Sequence, residues 1–515
     1  MAVLPLLAAG CTGTAPGNPA RSQVPTRPPV SLPTSGRLAT PPATLRPAAA
    51  PPPWPAREER YRVGDRSWAT VRVGRQHEIE GFTDRDSALP GQPVRLYVST
   101  VARRYRVRAY RMGWYGGARA RQVWASAMLP GGRQRPAVLR GSTHTPSAPW
   151  APSLMLDTTD WPPGDYLLRL DAERGGPRRF VPLTLRTPTM RDAVVLVNAD
   201  TTWQAYNQWG GYSLYLGADQ TREHRARAVS FDRPYDYGAG TGDFLGAELP
   251  LLALAERLGL TLGYATDVDL DRDPHLLDGA RAVVSLGHDE YWSPRMRTQV
   301  TRARDAGVNI AFLGANAVYR KIRFGRTGTG PDRLEINYKD ATDPIGATDP
   351  SQVTTQWRDP PSLQSESSLT GMRYRCNPVR ADMVVVDPGN WLLSGLGLRV
   401  GSRLPRVVGS EYDRVDLDVP TPRPIEVLTH SPVVCQGVPD FADASYYTSR
   451  SGAAVFDSGT SDWVAELDSP NRTVRRVVST ATARLLLAFA AGPTGFAHPA
   501  RDTGPRYGTH PGGAG

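Results

Sequence analysis

The chain has 515 residues and a formal net charge of +11, with 61 Lys and Arg against 50 Asp and Glu. That length exceeds one ordinary core, so two or more domains are expected. All basic residues except Lys321 and Lys339 are arginines scattered between acids, with no basic stripe interleaved with aromatics, so the charge is not read as a nucleic-acid footprint.

Residues 2–10 form a short apolar run ending in small residues before Cys11, too short to span a bilayer as a helix. Leu7 to Cys11 resembles the cleavage box of a bacterial lipoprotein signal, with Cys11 as the lipidated residue; the alternative is an unstructured N-terminal tail. Residues 12–57 are rich in Pro, Ala, Thr, Ser and Arg. Such a segment buries too little surface to offset its ordering entropy, and it reads as a disordered tether. These features point to an exported protein, a membrane lipoprotein or a secreted one.

From about residue 58 to 187 the pattern is short strands with turns. Val94 to Val98 follows the turn Leu89-Pro90-Gly91-Gln92, Tyr105 to Arg111 alternates with period two, and Tyr166 to Leu170 follows Trp161-Pro162-Pro163-Gly164-Asp165. This predicts an all-β sandwich of immunoglobulin-like kind. Within it, Met112-Gly113-Trp114-Tyr115-Gly116-Gly117 reads as a hairpin tip packed on the next domain, or as a platform on which a sugar could stack.

Residues 188–495 read as one doubly wound α/β domain. Asp192 to Asn198 is a near-continuous apolar strand, running into the aromatic and amide-rich stretch from Thr201 to Tyr212. A helix is expected from Asp243 to Leu258 with Gly259 as its C-cap, then a strand from Thr261 to Ala265. Ala282 to Leu286 is the next strand; Ser293-Pro294 is a helix N-cap followed by Pro at the first helical position. Val308 to Leu313 closes a strand–helix–strand unit with a parallel sheet. Ligands of such sheets sit beyond the carboxyl ends of the strands, where His288 to Tyr291 and Asn316 to Tyr319 lie. Further strands are expected at Asp382 to Val386, Val407 to Ser410, Ile425 to Leu428 and Ala453 to Phe456, and a last helix from Thr480 to Ala491. Residues 496–515 are Gly/Pro-rich and read as a disordered tail.

Cysteine chemistry offers no zinc spacing among three residues. With Cys11 set aside, Cys376 and Cys435 are a candidate disulfide in an oxidising compartment, or two buried thiols. Nucleophilic catalysis has no obvious seat: the turn Gly314-Ala315-Asn316 holds no nucleophile, and no G-x-S-x-G elbow is present. Hard oxygen ligands are plentiful at the strand ends, among them Tyr206, Tyr235, Tyr237, Asp267, Asp269, Asp289, Glu290 and Tyr291. Phenolate and carboxylate together suit a hard oxidised cation such as iron(III).

The segments YRMGWYGG, TWQAYNQWGGYSLY, RPYDYG, YATDVDL and SLGHDEYWS, followed by Asn316-x-x-Tyr319, resemble the family named after the large (β) subunit of N,N-dimethylformamidase. The likeness spans roughly Ile79 to Ala491. It implies a class I glutamine amidotransferase-like C-terminal domain and hydrolysis of a C–N bond in a small amide. It also implies a mononuclear iron held by two tyrosines and a glutamate: Tyr206, Glu290, and either Tyr235 or Tyr237. On that reading His288 or Asp289 accepts a proton, and Asn207 or Asn316 donates a hydrogen bond to the oxyanion. A small companion subunit or an oligomer would be its protein partner, and a lipid anchor its only tie to a membrane. The competing reading is a non-catalytic surface module that binds a cell-wall ligand in the same cleft.

Overall fold

The computed structural model describes residues 56–69, 73–236, 238–340 and 342–508. Cys11, Tyr237 and nearly all of the 12–57 stretch fall outside the described residues. No helix among those described is long and apolar enough to cross a membrane.

The first strands are β1 (Ile79–Thr83), β2 (Val94–Thr100), β3 (Arg104–Met112), β4 (Ala120–Ala125), β5 (Leu154–Leu156), β6 (Gly164–Ala172) and β7 (Arg178–Leu185). Antiparallel pairing gives one sheet in the order β1-β2-β5 and a second containing β7-β6-β3-β4. Period-two alternation explains their packing, since successive side chains leave a strand on opposite faces. Leu96, Val98, Val107, Ala109, Leu168 and Leu170 meet in one apolar cluster between the two sheets. The alternate residues Tyr110, Met112 and Leu167 go elsewhere, into the largest core of the molecule.

That core lies on one face of a seven-stranded sheet built from β8 (Val194–Asn198), β9 (Leu262–Thr266), β10 (Ala282–Leu286), β11 (Asn309–Leu313), and later β14 (Ile425–Cys435), β15 (Val438–Thr448) and β16 (Ala454–Asp457). The intervening β12 (Arg373–Val384) and β13 (Arg403–Arg414) form a separate bulged hairpin. The strand order is β9-β8-β10-β11-β16-β15-β14. Pairing is parallel from β9 to β16 and antiparallel from β16 to β14.

The longer helices are α1 (Asp200–Tyr206), α2 (Leu249–Leu258), α3 (Pro294–Asp305) and α4 (Arg472–Ala491). Val194, Leu196, Val284 and Leu313 share the core with Leu252 of α2 and Leu485 of α4. Val195, Val283, Ile310 and Phe312 face Met296 and Val300 of α3. The start of α3 is as its sequence predicts: Ser293 Oγ accepts from the Met296 N–H at 3.2 Å, and Pro294 follows. Gly259, with φ +72°, ends α2 in the left-handed conformation.

The fold class expected from the sequence is overturned. Helix accounts for only 21% of the structure, and among the described residues the strands are spread over seven sheets, so the immunoglobulin-like sandwich plus doubly wound α/β domain gives way to a mostly β molecule whose first strands alone form two packed antiparallel sheets. The physical reason lies between and after the apolar runs. Among the described residues, 207–240 and 314–372 hold no helix longer than four residues, in a chain with 50 Gly and 48 Pro that break helices at many points. After residue 370 the strands pair mainly as antiparallel hairpins, β12 with β13 and β14 with β15, and β16 joins the parallel run beside β11 while running antiparallel to β15.

The first strands are tied to the rest by a buried ion pair. Arg111 on β3 donates from Nη1 to Glu256 Oε1 on α2 at 2.7 Å, and both side chains are fully buried. Tyr264 completes the contact, its hydroxyl 3.0 Å from the same carboxylate oxygen. The other carboxylate oxygen accepts from the Trp114 N–H at 2.7 Å. A Cβ at position 113 would lie 1.9 Å from that carboxylate, so any side chain there would push Glu256 off its partners. The glycine-framed Trp114-Tyr115 tip is therefore docked onto α2.

Candidate functional site

β8 delivers the chain into α1, whose last residue is Tyr206. The chain then reverses through Gly210 and Gly211, with φ +81° and +85°, values that glycine adopts without a Cβ penalty. Leu214 N–H bonds back to the Ala205 carbonyl at 2.9 Å, and this return brings Tyr215 alongside Tyr206. Their rings stack with centroids 4.3 Å apart.

Both phenols converge on one carboxylate oxygen. Tyr206 donates to Glu290 Oε2 at 2.9 Å and Tyr215 donates to the same atom at 2.7 Å. Glu290 is only 1% exposed, held by its N–H bond to Thr202 Oγ1 at 2.9 Å. The Tyr206 ring is 37% exposed, but its oxygen is turned onto that buried carboxylate. Burial, followed by the Glu290 charge, pushes both phenols well above the ordinary tyrosine range, so each is a donor here. Arg320 Nε stands 3.5 Å from Glu290 Oε1. Behind Tyr215, Lys339 Nζ lies 3.1 Å from the ring centroid and donates to the Tyr291 hydroxyl at 2.8 Å.

His288 lies between two carboxylates. Its Nε2 is 3.2 Å from Glu411 Oε2 and 3.5 Å from Glu290 Oε2, ion-pair contacts rather than aligned hydrogen bonds. Burial opposes its charge, but Glu411 and then Glu290 prevail and hold the imidazole up at about 9. Glu411, on β13, is held below the usual carboxylate range: burial raises it, and the opposing charge of His288 with bonds from Asn377 and Asn316 outweighs that. Asn377 Nδ2 donates to Glu411 Oε1 at 2.8 Å and to the Tyr374 hydroxyl at 2.9 Å. One residue before Asn377, Cys376 is joined to Cys435 by a disulfide with S–S 2.01 Å.

Of the residues expected from the sequence, Tyr206, His288 and Glu290 come together. Asn316 joins them at the edge in a left-handed conformation, φ +62°, its N–H bonded to Asp413 Oδ1 at 2.9 Å. Its Oδ1 has no hydrogen-bond partner among the described residues. Asp289 faces away: its oxygens accept from Ser285 Oγ and Trp292 Nε1, each at 2.6 Å, and burial pushes it up to about 6. Asn207 is fully committed to loop bracing. It donates to Gln204 and Pro234 and accepts from the Trp209 and Asp236 N–H groups.

Tyr235 is not brought to Glu290. Its ring packs against Trp203, centroids 6.3 Å apart, and against the bare Cα of Gly240. Tyr215 is a second phenol on Glu290 that the sequence reading did not include although it lies inside TWQAYNQWGGYSLY, and the expected alternative Tyr237 lies outside the described residues; the Gly-Gly pair nine to ten residues after Thr201 was the available sign of a reversal. Glu411 and Asn377 carried no local signal.

No group of three His, Cys, Asp or Glu suited to a metal occurs among the described residues. The Tyr206–Tyr215–Glu290 set is of another kind, two phenols and one carboxylate with oxygens within a hydrogen bond of one another. A hard cation could replace the two phenolic protons aimed at Glu290, so this donor set fits iron(III).

A family model described as "N,N-dimethylformamidase beta subunit-like, C-terminal" matches residues 106–475. Among curated proteins, none matches the chain.

Proposed function

The chain belongs to the N,N-dimethylformamidase beta subunit-like family, which points to an amide hydrolase, and from that premise we propose that it hydrolyses a small amide beside Tyr206, Glu290 and the His288–Glu411 pair. The observation that supports this reading is the convergence of Tyr206 and Tyr215 on Glu290 Oε2 beside the His288–Glu411 pair. Tyr206, Tyr215 and Glu290 would hold the iron. When bound, it would supply Lewis-acid polarisation of the amide carbonyl.

The chain's own residues then have defined tasks. His288 and Glu411, 3.2 Å apart, form a pair that takes a proton from the attacking water and delivers one to the departing nitrogen. The water oxygen bonds to the carbonyl carbon, the C–N bond breaks, and acid and amine leave with the proton count unchanged. Asn377 fixes Glu411 through its 2.8 Å bond. Asn316, whose side-chain amide already bonds Glu411, keeps a second N–H that could reach the carbonyl oxygen, whereas both donors of Asn207 are engaged.

The deciding experiment measures iron content and amine release from N,N-dimethylformamide and related small amides with the purified full chain. Iron near one per chain with amine release supports the proposal; absence of both overturns it. Ligand binding without turnover would favour a surface binding module. The disulfide fits an oxidising compartment, and an exported, lipid-anchored location through Cys11 is part of the same proposal, tested by fractionation of cells making the full chain.

A further inference from the structure

The strand pair Tyr291–Trp292 and Arg320–Lys321 separates two polar regions, since neighbouring residues on a strand face opposite ways. Arg320 meets Glu290 on one face. Lys321 lines a pocket of about 500 Å³ on the other, closed by the first turns of α3 and by the loop from Ser351 to Gln364.

This pocket is unusual in charge. Arg297, Arg302 and Lys321 line it, and among the described residues no carboxylate does. Arg297 and Lys321 are only 6% and 4% exposed, so they are built into the wall and not draped over the surface. Both lie over Trp357, at 4.7 and 5.3 Å from its ring, a cation–π floor that places two like charges side by side. The nearby acids are spent elsewhere: Glu366 pairs with Arg358 and accepts from the Tyr374 N–H, and Asp349 caps its own turn through Ser351.

Two buried donors remain unused. Arg297 Nη1 and Trp357 Nε1 have no hydrogen-bond partner among the described residues, an arrangement that costs free energy unless something supplies acceptors. Burial lowers the Arg297 guanidinium to about 10, against the pull of Glu366 and with the push of Arg304, as befits a cation short of counter-charge. The start of α3, the positive end of a 12-residue helix, opens at Pro294 on the same space.

We propose that this pocket binds a small polar molecule bearing an oxyanion, a phosphate or a carboxylate, with Arg297, Arg302 and Lys321 as its counter-charges and the hydroxyls of Thr298 and Thr301 contacting its uncharged part. The volume exceeds that of a bare ion, which is why a polar body is included. The site is distinct from the proposed amide site at Glu290 and does not depend on what happens there.

The test is calorimetric titration of the full chain with inorganic phosphate and, separately, with acetate, each against chloride at equal ionic strength. Saturable binding of at least one anion is expected, weakened about tenfold by Arg302→Gln and more by Lys321→Met. Arg302 is exposed, so its replacement leaves the fold intact and keeps the test valid if Lys321→Met fails to fold. Tighter phosphate binding identifies a phosphate source, and tighter acetate binding a carboxylate. The proposal is overturned if neither anion binds, or if Arg302→Gln and whichever further variant folds bind as the parent does.

Discussion

The hydroxyl of Tyr215 sits 2.7 Å from Glu290 Oε2, a contact between residues 75 apart in the chain and shorter than the 2.9 Å contact of Tyr206 with the same atom. Replacing either phenol by phenylalanine removes one oxygen without changing the packed ring. Tyr215→Phe and Tyr206→Phe are expected to lose iron affinity by more than the ~10–100-fold typical of outer-shell changes. Tyr235→Phe, whose ring packs on Trp203, should retain it. Metal analysis after dialysis against a mild chelator reads all three.

Glu411→Gln keeps the shape of the side chain and removes the charge beside His288. Its expected effect is a fall in kcat of about 10²-fold or more, the range of general acid–base contributions, with iron content unchanged. Asn377→Ala, which frees Glu411 from its 2.8 Å donor, should show a smaller loss of the same kind. Steady-state kinetics on a small amide, with metal content measured in parallel, distinguishes this from a damaged ligand set.

The Cys376–Cys435 disulfide closes a sequence separation of 59 residues. Replacing both cysteines by serine should cost about 2–4 kcal/mol, read as a lower urea midpoint. Treating the parent protein with a reductant should reproduce the shift, while the double variant should not respond.

Asp165 gives a stability slope with a defined sign. Its Oδ1 accepts from Thr184 Oγ1 at 2.9 Å and Asn198 Nδ2 at 2.8 Å, its Oδ2 has no partner among the described residues, and burial pushes it up from 3.8 to about 6. The folded state therefore binds the proton more tightly than the unfolded chain. The stabilising contribution is whole below pH ~4 and is lost as pH rises through about 6, to a total of about 3 kcal/mol. Asp165→Asn should flatten that part of the stability profile, measured by urea unfolding between pH 4 and 7.

What the sequence made readable was local. Ser293-Pro294 announces a helix because a cap and its first turn are adjacent in the chain. Tyr206, His288 and Glu290 stand out because their motifs place them at the ends of apolar runs. Tyr215 was missed because its position depends on a glycine reversal, and Glu411 because it arrives on β13, 121 residues after Glu290, with nothing nearby to mark it. The doubly wound expectation failed for a related reason. A buried apolar run looks alike whether its neighbour is parallel or antiparallel, and β14 to β16 turned out to close the sheet as hairpin strands.

The Arg111–Glu256 pair bears on how this protein can be inherited and rebuilt. A chain beginning near residue 188 would lose Arg111 and the Trp114 N–H from Glu256, and a chain ending there would lose Glu256 and the Tyr264 hydroxyl from Arg111. Where a swapped segment covers Glu256 again but brings no arginine, the buried carboxylate is left unpaired at a cost on the order of 3–5 kcal/mol, a large share of the stability of a typical domain. The early strands are thus no detachable cassette: recombination that swaps them must carry both partners of the pair, or neither.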